Sequence, residues 1–223
     1  FTATSGGALT LRGDVIGRTN NASAALAVSS TSLNLNAGAS GNGAVNITSA
    51  SAIDLDSLDS TGTGTVAIAT TGSNDITLGG GGITNTGATR GALTVTSGAN
   101  VNIDDAFSHQ GAVTLTANGG GTKAGAVYGD SIVTATSSAL TLEGDVIGNN
   151  TSAASTLGVS STTLNIDAGD SGNGAVKITS AAAIRLDALN STGTGVVELT
   201  TTAGDVTLGD GGSTAINNTG ATR

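Results

Sequence analysis

The 223-residue chain has no cysteine, proline, methionine or tryptophan, and its only aromatic residues are two phenylalanines and one tyrosine. Aromatic side chains normally supply the bulk of a wide protein interior. A core built from Leu, Ile, Val and Ala can fill only a narrow space at native density. The lack of cysteine also fits an extracellular bacterial protein, in which thiols risk oxidation. The composition therefore argues against an ordinary globular domain and favours a thin solenoid.

Basic residues are scarce as well. The seven Lys and Arg residues are scattered singly, and the formal net charge is −9. Nucleic-acid binding needs clustered cations and stacking aromatics, and anionic membranes attract clustered cations, so both kinds of partner are disfavoured. No apolar stretch approaches the roughly 20 residues that span a bilayer, which predicts no membrane insertion. The chain begins with Phe1 and ends inside a repeat, so we expect a part excised from something longer.

One long internal repeat dominates the sequence. Residues 8–90 return as residues 139–223, and residues 91–138 lie between the two copies. The segment Ser-Gly-Asn-Gly-Ala-Val at 40–45 recurs unchanged at 171–176, an offset of 131 residues. The spacing between equivalent positions of the two copies changes only in Gly-rich stretches, which are expected to be loops that tolerate insertions. We therefore expect a single continuous array over residues 1–223.

The two copies keep their apolar positions but not their charges. Leu33, Leu35 and Val45, for example, become Leu164, Ile166 and Val176. The charged changes are Arg12 to Glu143, Asp54 to Arg185, Asn46 to Lys177 and Ala67 to Glu198. A catalytic or ligand-binding carboxylate cannot become a guanidinium and keep its role. These positions are therefore predicted to be solvated surface positions on a shared scaffold.

Short segments alternate apolar and polar residues, as in Val45-Asn46-Ile47-Thr48, which predicts β-strands with one buried face. Apolar residues also recur 20 or 21 positions apart, from Leu35 to Leu55, Ile47 to Ile68 and Val95 to Leu115. We therefore predict an all-β fold, a parallel β-helix of about ten coils of roughly 20–21 residues, on the order of 50 Å long. The repeat unit would then contain about six coils.

Three other fold classes fit the sequence less well. A tandem of immunoglobulin-like sandwiches usually carries prolines and core aromatics. A closed antiparallel barrel needs regularly spaced Asn-Gly or Asp-Gly hairpin turns. A disordered linker has no need of strict apolar alternation.

Three phrases carry a resemblance to a known family: Gly-Ala-Leu-Thr-Val-Thr-Ser-Gly-Ala-Asn-Val-Asn-Ile-Asp (91–104), Gly-Ala-Val-Thr-Leu-Thr-Ala-Asn-Gly-Gly (111–120) and Gly-Ala-Val-Asn-Ile-Thr-Ser (43–49). They resemble the filamentous-haemagglutinin-like exoproteins of two-partner secretion, which are close in architecture to autotransporter passengers. The family's amino-terminal secretion domain is not recognisable. The resemblance implies a right-handed parallel β-helix exported to the bacterial surface, where it forms a fibre shaft for adhesion, aggregation or matrix.

Two groups of acids are candidate Ca²⁺ ligands: Asp104 with Asp105, and Asp54, Asp56 and Asp59. In the second copy Asp54 becomes Arg185 and Asp59 becomes Asn190, although Asp56 persists as Asp187. The Gly-Gly-x-Gly-x-Asp spacing of calcium-binding β-rolls is also missing, so a surface role is the favoured interpretation for both groups. The Gly79–Gly82 run lacks the features of a phosphate loop and is predicted to be a turn.

His109, beside Ser108, is the only histidine, and a hydrolase needs more than such a neighbour pair. Asp14 and Asp145, in the repeated Gly-Asp-Val-Ile-Gly, are predicted to form local Asx turns. No catalytic, cofactor or metal site is therefore expected.

These observations lead to one functional expectation, and two other classes of function stay open. The chain is expected to be a non-catalytic structural segment of an extracellular bacterial fibre or adhesin shaft, continued covalently or stacked end to end. Its partners would be further copies or coils, and host or cell-surface glycans. The first alternative is a surface module that binds glycans or ice, the latter suggested by Thr-rich stretches such as 61–65 and 200–202 that lack regular spacing. The second is a polysaccharide-acting β-helix enzyme, although the sequence lacks the clustered acids and aromatics that line the groove of such enzymes.

Overall fold

The computed structural model describes residues 7–17, 25–38, 41–87, 90–118, 122–148, 156–209 and 216–219. The chain ends at 1–6 and 220–223, which the predicted array includes, lie outside these described residues. Every regular element in the described part is a β-strand. The strands are β1 (Ala8–Gly13), β2 (Leu26–Val28), β3 (Ser32–Ala37), β4 (Val45–Ser49), β5 (Ile53–Ser60), β6 (Val66–Thr70), β7 (Ile76–Leu78), β8 (Ile83–Asn85), β9 (Leu93–Ser97), β10 (Val101–Ile103), β11 (Phe107–His109), β12 (Val113–Ala117), β13 (Ala126–Gly129), β14 (Ile132–Gly144), β15 (Val146–Ile147), β16 (Leu157–Ala168), β17 (Val176–Ser180), β18 (Ile184–Ser191), β19 (Val197–Thr201), β20 (Val206–Leu208) and β21 (Ile216–Asn218).

All registered strand pairs are parallel, and they form two stacks on opposite sides of a narrow core. Column A contains β1, β3, β5, β7 with β8, β10 with β11, β13 with the first part of β14, β15 with the first part of β16, β17 and β19. Column B contains β2, β4, β6, β9, β12, the second parts of β14 and β16, β18, and β20 with β21. The chain alternates between the columns, so the predicted parallel β-solenoid is confirmed.

The inside and outside faces follow the alternation in the sequence. In β4, Val45, Ile47 and Ser49 are buried while Asn46 and Thr48 are half-buried on the outer face. The buried aliphatic residues form one continuous hydrophobic core along the array. Stacking like residues above like lets Leu, Ile, Val and Ala side chains fill that core, to which the described residues add Phe107.

The coils are longer and more variable than expected. Two of the predicted ladder steps are confirmed, because Ile47 pairs with Ile68 and Val95 with Leu115. The third is wrong: Leu35 pairs with Leu58, since a register shift after Leu33 inserts one extra residue into β5. The array makes about eight turns, against the ten expected. At about 4.8 Å per step it is roughly 40 Å long. The right-handed winding stays a prediction.

The duplication is visible in the register of the ladders. The pairs Leu9 with Leu33 and Leu11 with Leu35 recur as Leu140 with Leu164 and Leu142 with Ile166. The register shift recurs as well, after Leu164. The first copy of the motif begins in column A with β1, whereas the second begins in column B with the second part of β14. The 131-residue offset therefore spans five and a half turns rather than six coils, and equivalent strands of the two copies lie in opposite columns.

One glycine column explains the recurrent Gly-Ala of the sequence. Gly64, Gly91 and Gly111 stack at the corner before β6, β9 and β12. A Cβ atom on Gly91 would collide with the carbonyl oxygen of Gly64, and one on Gly111 with the carbonyl oxygen of Gly91. Successive coils therefore approach too closely at this corner for any larger residue.

Candidate functional site

The acidic candidates lie on the outer surface. Asp59, Asp104 and Asp105 are exposed, and Asp54 and Asp56 are half-buried. Asp56 accepts a hydrogen bond from the hydroxyl of Ser32. Burial raises the pKa of Asp54, and the negative charges of Asp56 and Asp104 raise it further. Among the described residues no group of three or more His, Cys, Asp or Glu side chains is placed to hold a metal ion. The structure therefore gathers no calcium ligand set from these acids.

Ser108 and His109 point to opposite faces of β11. His109 is completely buried in the core, whereas Ser108 is half-buried on the outer face. Adjacent residues of a strand cannot share one side of the sheet, so this pair is unable to act as a nucleophile and its base.

His109 instead belongs to a chain of buried hydrogen bonds at a corner of the solenoid. The backbone amide of Ser60 donates to Oδ1 of Asn85 over 3.1 Å, and Nδ2 of Asn85 donates to Nδ1 of His109 over 3.0 Å. Nε2 of His109 then donates to the carbonyl oxygen of Gly91 over 2.8 Å. These partners select the neutral tautomer with its proton on Nε2. Burial lowers the pKa of His109 in spite of the Gly91 bond, and the charge of Arg90 lowers it further.

Asp14 and Asp145 join neighbouring coils, which corrects the predicted local Asx turns. Oδ1 of Asp145 accepts from the backbone amides of Ser171 and Asn173, at 3.2 and 3.1 Å. Oδ1 of Asp14 accepts from the amide of Asn42, 28 residues later in the chain, at 3.4 Å. Each aspartate therefore anchors a loop of the neighbouring coil. The backbone amides that donate to it belong to the repeated Ser-Gly-Asn-Gly segment. Sequence reasoning missed this role because the donors are distant in the chain.

The charged changes between the copies lie on the outer face, as predicted, but they are not independent of their neighbours. Arg185 replaces Asp54 and forms an ion pair with Asp187, with 2.8 Å between Nε and Oδ1. Lys177 and Glu198, which replace Asn46 and Ala67, are register partners on β17 and β19. In both cases a charge that differs between the copies lies beside a charge of opposite sign.

Lys123 is the centre of the most extensive charged network in the described residues. Its Nζ lies 2.6 Å from Oδ2 of Asp167 and 3.5 Å from Oε2 of Glu143. Burial opposes the charge of Lys123, but the Asp167 hydrogen bond and the nearby carboxylates of Glu143, Asp167 and Asp170 raise its pKa overall. Burial likewise acts to raise the pKa of Asp167, while hydrogen bonds from Lys123 and Asn190 lower it overall. Nothing in the sequence singled out Lys123, which lies between the copies and meets its partners only through the stacking of coils.

Two smaller features complete the surface. Gly79–Gly82 forms the turn between β7 and β8, as predicted. Thr94 and Thr96 of β9 stack on Thr114 and Thr116 of β12 to form a small array of threonines. On the next coil Thr141 continues one row, but Glu143 ends the other and accepts a hydrogen bond from Thr116.

The described surface thus consists of polar rows and of ion pairs within and between coils. The described residues include no helix that could cross a membrane. Comparison with known proteins gave no match to a protein-family model, to a curated protein or to a solved structure.

Proposed function

We propose that the chain is a non-catalytic structural segment of an extracellular bacterial fibre or adhesin shaft. One observation carries the proposal: the described residues form a parallel ladder that contains an internal duplication. The resemblance of its Gly-Ala-Leu-Thr phrases to filamentous-haemagglutinin-like exoproteins supports the bacterial surface as its location. The proposed role of the solenoid is mechanical, because hydrogen bonds between stacked strands resist bending and extension along the axis.

Two features of the surface and core support this proposal. His109 is buried and hydrogen-bonded in the core. The charged network of Lys123 joins β14, β16 and the loop before β13 rather than lining a cleft. Outward polar and acidic rows keep such a rod soluble and discourage lateral strand pairing. His109 and Lys123 thus hold one coil on the next.

Electron microscopy and fibre diffraction of the natively isolated protein test the proposal. We expect unbranched rods with an axial reflection near 4.8 Å. Each column has nine successive strand levels. If whole chains stack end to end, the rods should therefore also show an axial repeat of about 43 Å, one chain length. Compact single particles at every concentration would contradict a shaft built from this unit. The variant Leu35→Asp, which breaks the ladder from inside, is the matched negative control.

The threonine array on β9 and β12 supports one second candidate, binding to ice. Its four threonines occupy neighbouring positions on two successive coils of column B. A measurable inhibition of ice recrystallisation that Thr94→Val/Thr114→Val abolishes would favour that role. Thr77→Val on column A is the control. Glycan binding stays an alternative, to be tested on a glycan array with the same rods.

A further inference from the structure

A row of buried hydrogen bonds crosses one corner of the otherwise aliphatic core. Its side-chain members are Asn85 on β8 and His109 on β11, which are register partners. Asn85 is 1% exposed and His109 is completely buried. The row begins at the backbone amide of Ser60 and ends at the carbonyl oxygen of Gly91. This corner network of four residues therefore ties together the end of β5, strands β8 and β11, and the loop before β9.

Backbone groups at both ends fix the direction of these hydrogen bonds. The amide of Ser60 can only donate, so it holds the side-chain oxygen of Asn85 and turns the NH2 group of Asn85 toward the imidazole. The carbonyl oxygen of Gly91 can only accept, so it requires a proton on Nε2 of His109. Nδ1 is then the acceptor for Asn85. Each link of the network is matched only while the imidazole is neutral.

A second proton on His109 breaks this match. The imidazolium ring donates through both nitrogens, so Nδ1–H would face the NH2 group of Asn85. Turning the Asn85 amide over would satisfy Nδ1–H, but it would bring the NH2 group against the backbone amide of Ser60. Either arrangement places two donors face to face in the core, and an unpaired buried donor is costly.

The charged groups around the corner do not offset this cost. Strands β8, β9, β11 and β12 and the first part of β14, which stacks on β11, contain no Asp, Glu, Lys or Arg. The charge of Arg90 disfavours protonation of His109. The guanidinium of Arg90 lies 4.0 Å from the carboxylate of Asp59. The acids of β5 and of the turn before β11 are half-buried or exposed on the outer surface: Asp54, Asp56, Asp59, Asp104 and Asp105.

Strands β8 and β11 have few other inward contacts. Each is three residues long and turns one apolar and one polar side chain into the core. Without the link between Asn85 and His109, the remaining inward register pair is Ile83 with Phe107. On the opposite column of the same coils, β9 and β12 are five residues long and pair through their whole length. The effect of a proton is therefore confined to one side of the solenoid.

We propose that the corner network is an acid-released latch, which holds β8 and β11 on the solenoid at neutral pH and frees them when His109 takes up a proton. Ile83 and Phe107 then become accessible to solvent, while β9 and β12 stay stacked. The latch involves only contacts within one chain, so it does not depend on the proposed shaft function.

Hydrogen exchange followed by mass spectrometry tests the latch on the full chain, at about pH 7.5 and about pH 5, on either side of the ordinary histidine pKa. Labelling times are scaled for the intrinsic pH dependence of exchange. We expect the amides of β8 and β11 to lose protection roughly tenfold or more at the lower pH, as one unpaired buried donor implies. Those of β9 and β12, the internal reference, should change much less. Equal loss on both columns, or no loss on either, would overturn the latch.

Two variants separate protonation from a merely structural role. His109→Gln stays neutral and can still accept from Asn85 and donate to Gly91, so its β8 and β11 should show no extra loss of protection in acid. Asn85→Asp supplies a carboxylate that accepts from both the Ser60 amide and a protonated Nδ1, so it should keep the strands protected at about pH 5. If either variant loses protection in acid as the natural chain does, the proposed mechanism is wrong.

Nitrogen-15 NMR provides a test on the unaltered chain, in which His109 is the only histidine. The ring resonances should show the proton on Nε2 at neutral pH. Protonation of the ring should have the same pH midpoint as the loss of protection in β8 and β11. A ring that carries its proton on Nδ1 at neutral pH, or one that titrates while both strands stay protected, would overturn the proposal.

Discussion

The side-chain amide of Asn190 donates a hydrogen bond to the carboxylate of Asp167, with 2.8 Å between Nδ2 and Oδ1. In the first copy of the repeat the same two positions hold Asn36 and Asp59, and Asn36 donates to Asp59 over 3.1 Å. The amide and the carboxylate have exchanged places between adjacent strands while their hydrogen bond persists. What the duplication preserves here is a contact between coils rather than either residue.

Asn190→Asp should therefore destabilise the protein, since it places two carboxylates on register partners. We expect a loss of about 1 kcal/mol in the free energy of unfolding, measured by urea denaturation. Adding Asp167→Asn should recover part of that loss by restoring one amide and one carboxylate, although Lys123 then loses its closest partner. A double variant no more stable than Asn190→Asp would contradict the exchange.

Leu35→Asp should collapse the coils around β3, the second strand of column A. Leu35 is 1% exposed and lies between Leu11 and Leu58 in column A, so the variant buries an unpaired carboxylate. Burying this charge should lower the free energy of unfolding by several kcal/mol, which is a large part of the stability of a typical protein. Asn34→Asp adds the same charge to the outer face of the same strand and should leave the circular dichroism spectrum and melting curve almost unchanged. If both variants melt alike, the assignment of inside and outside faces is wrong.

Asp54→Arg should be tolerated and should stabilise the protein. The pKa of Asp54 is raised by burial and by its acidic neighbours Asp56 and Asp104, so the folded state disfavours its charge at neutral pH. The second copy already has Arg185 at this position, paired with Asp187. Thermal melting should show an increase in Tm at low salt that shrinks at high salt. Thr77→Arg, on the next strand of the same row, is the control. A decrease in Tm for Asp54→Arg would contradict the inference that position 54 accepts an arginine as position 185 does.

Stability should fall as the pH is lowered from 7 to about 5.5, partly because of His109. Its pKa is lowered below 6.5 in the folded protein, so the unfolded chain binds a proton in this range that the folded chain does not. The unfolded state is therefore favoured as the pH falls, and the effect is complete once the pH is below the folded-state pKa. His109→Gln, which cannot titrate, should show a flatter dependence of Tm on pH over this range, whatever its absolute stability. An unchanged slope of Tm against pH would show that protonation of His109 does not cause the pH dependence of stability.

Local sequence was enough to predict which residues face inward and that the chain repeats. An alternating pattern such as Val45-Asn46-Ile47-Thr48 expresses the geometry of a single strand, and no distant residue is needed to interpret it. The duplication likewise needs no structure, and together with the lack of aromatics it predicted a narrow solenoid. Asp54 and Asp59 could be assigned to the surface because the second copy has Arg185 and Asn190 at their positions.

The tertiary structure alone decided which residues meet. Leu35 lies on Leu58 rather than on Leu55 because one extra residue enters β5, and loops of different length make the step from Ile147 to Val176 longer than that from Val45 to Val66. The partners of Asp145, His109 and Lys123 are set by the same stacking. Spacing in the sequence cannot predict these contacts, because a loop can absorb several residues without moving the strands that it connects.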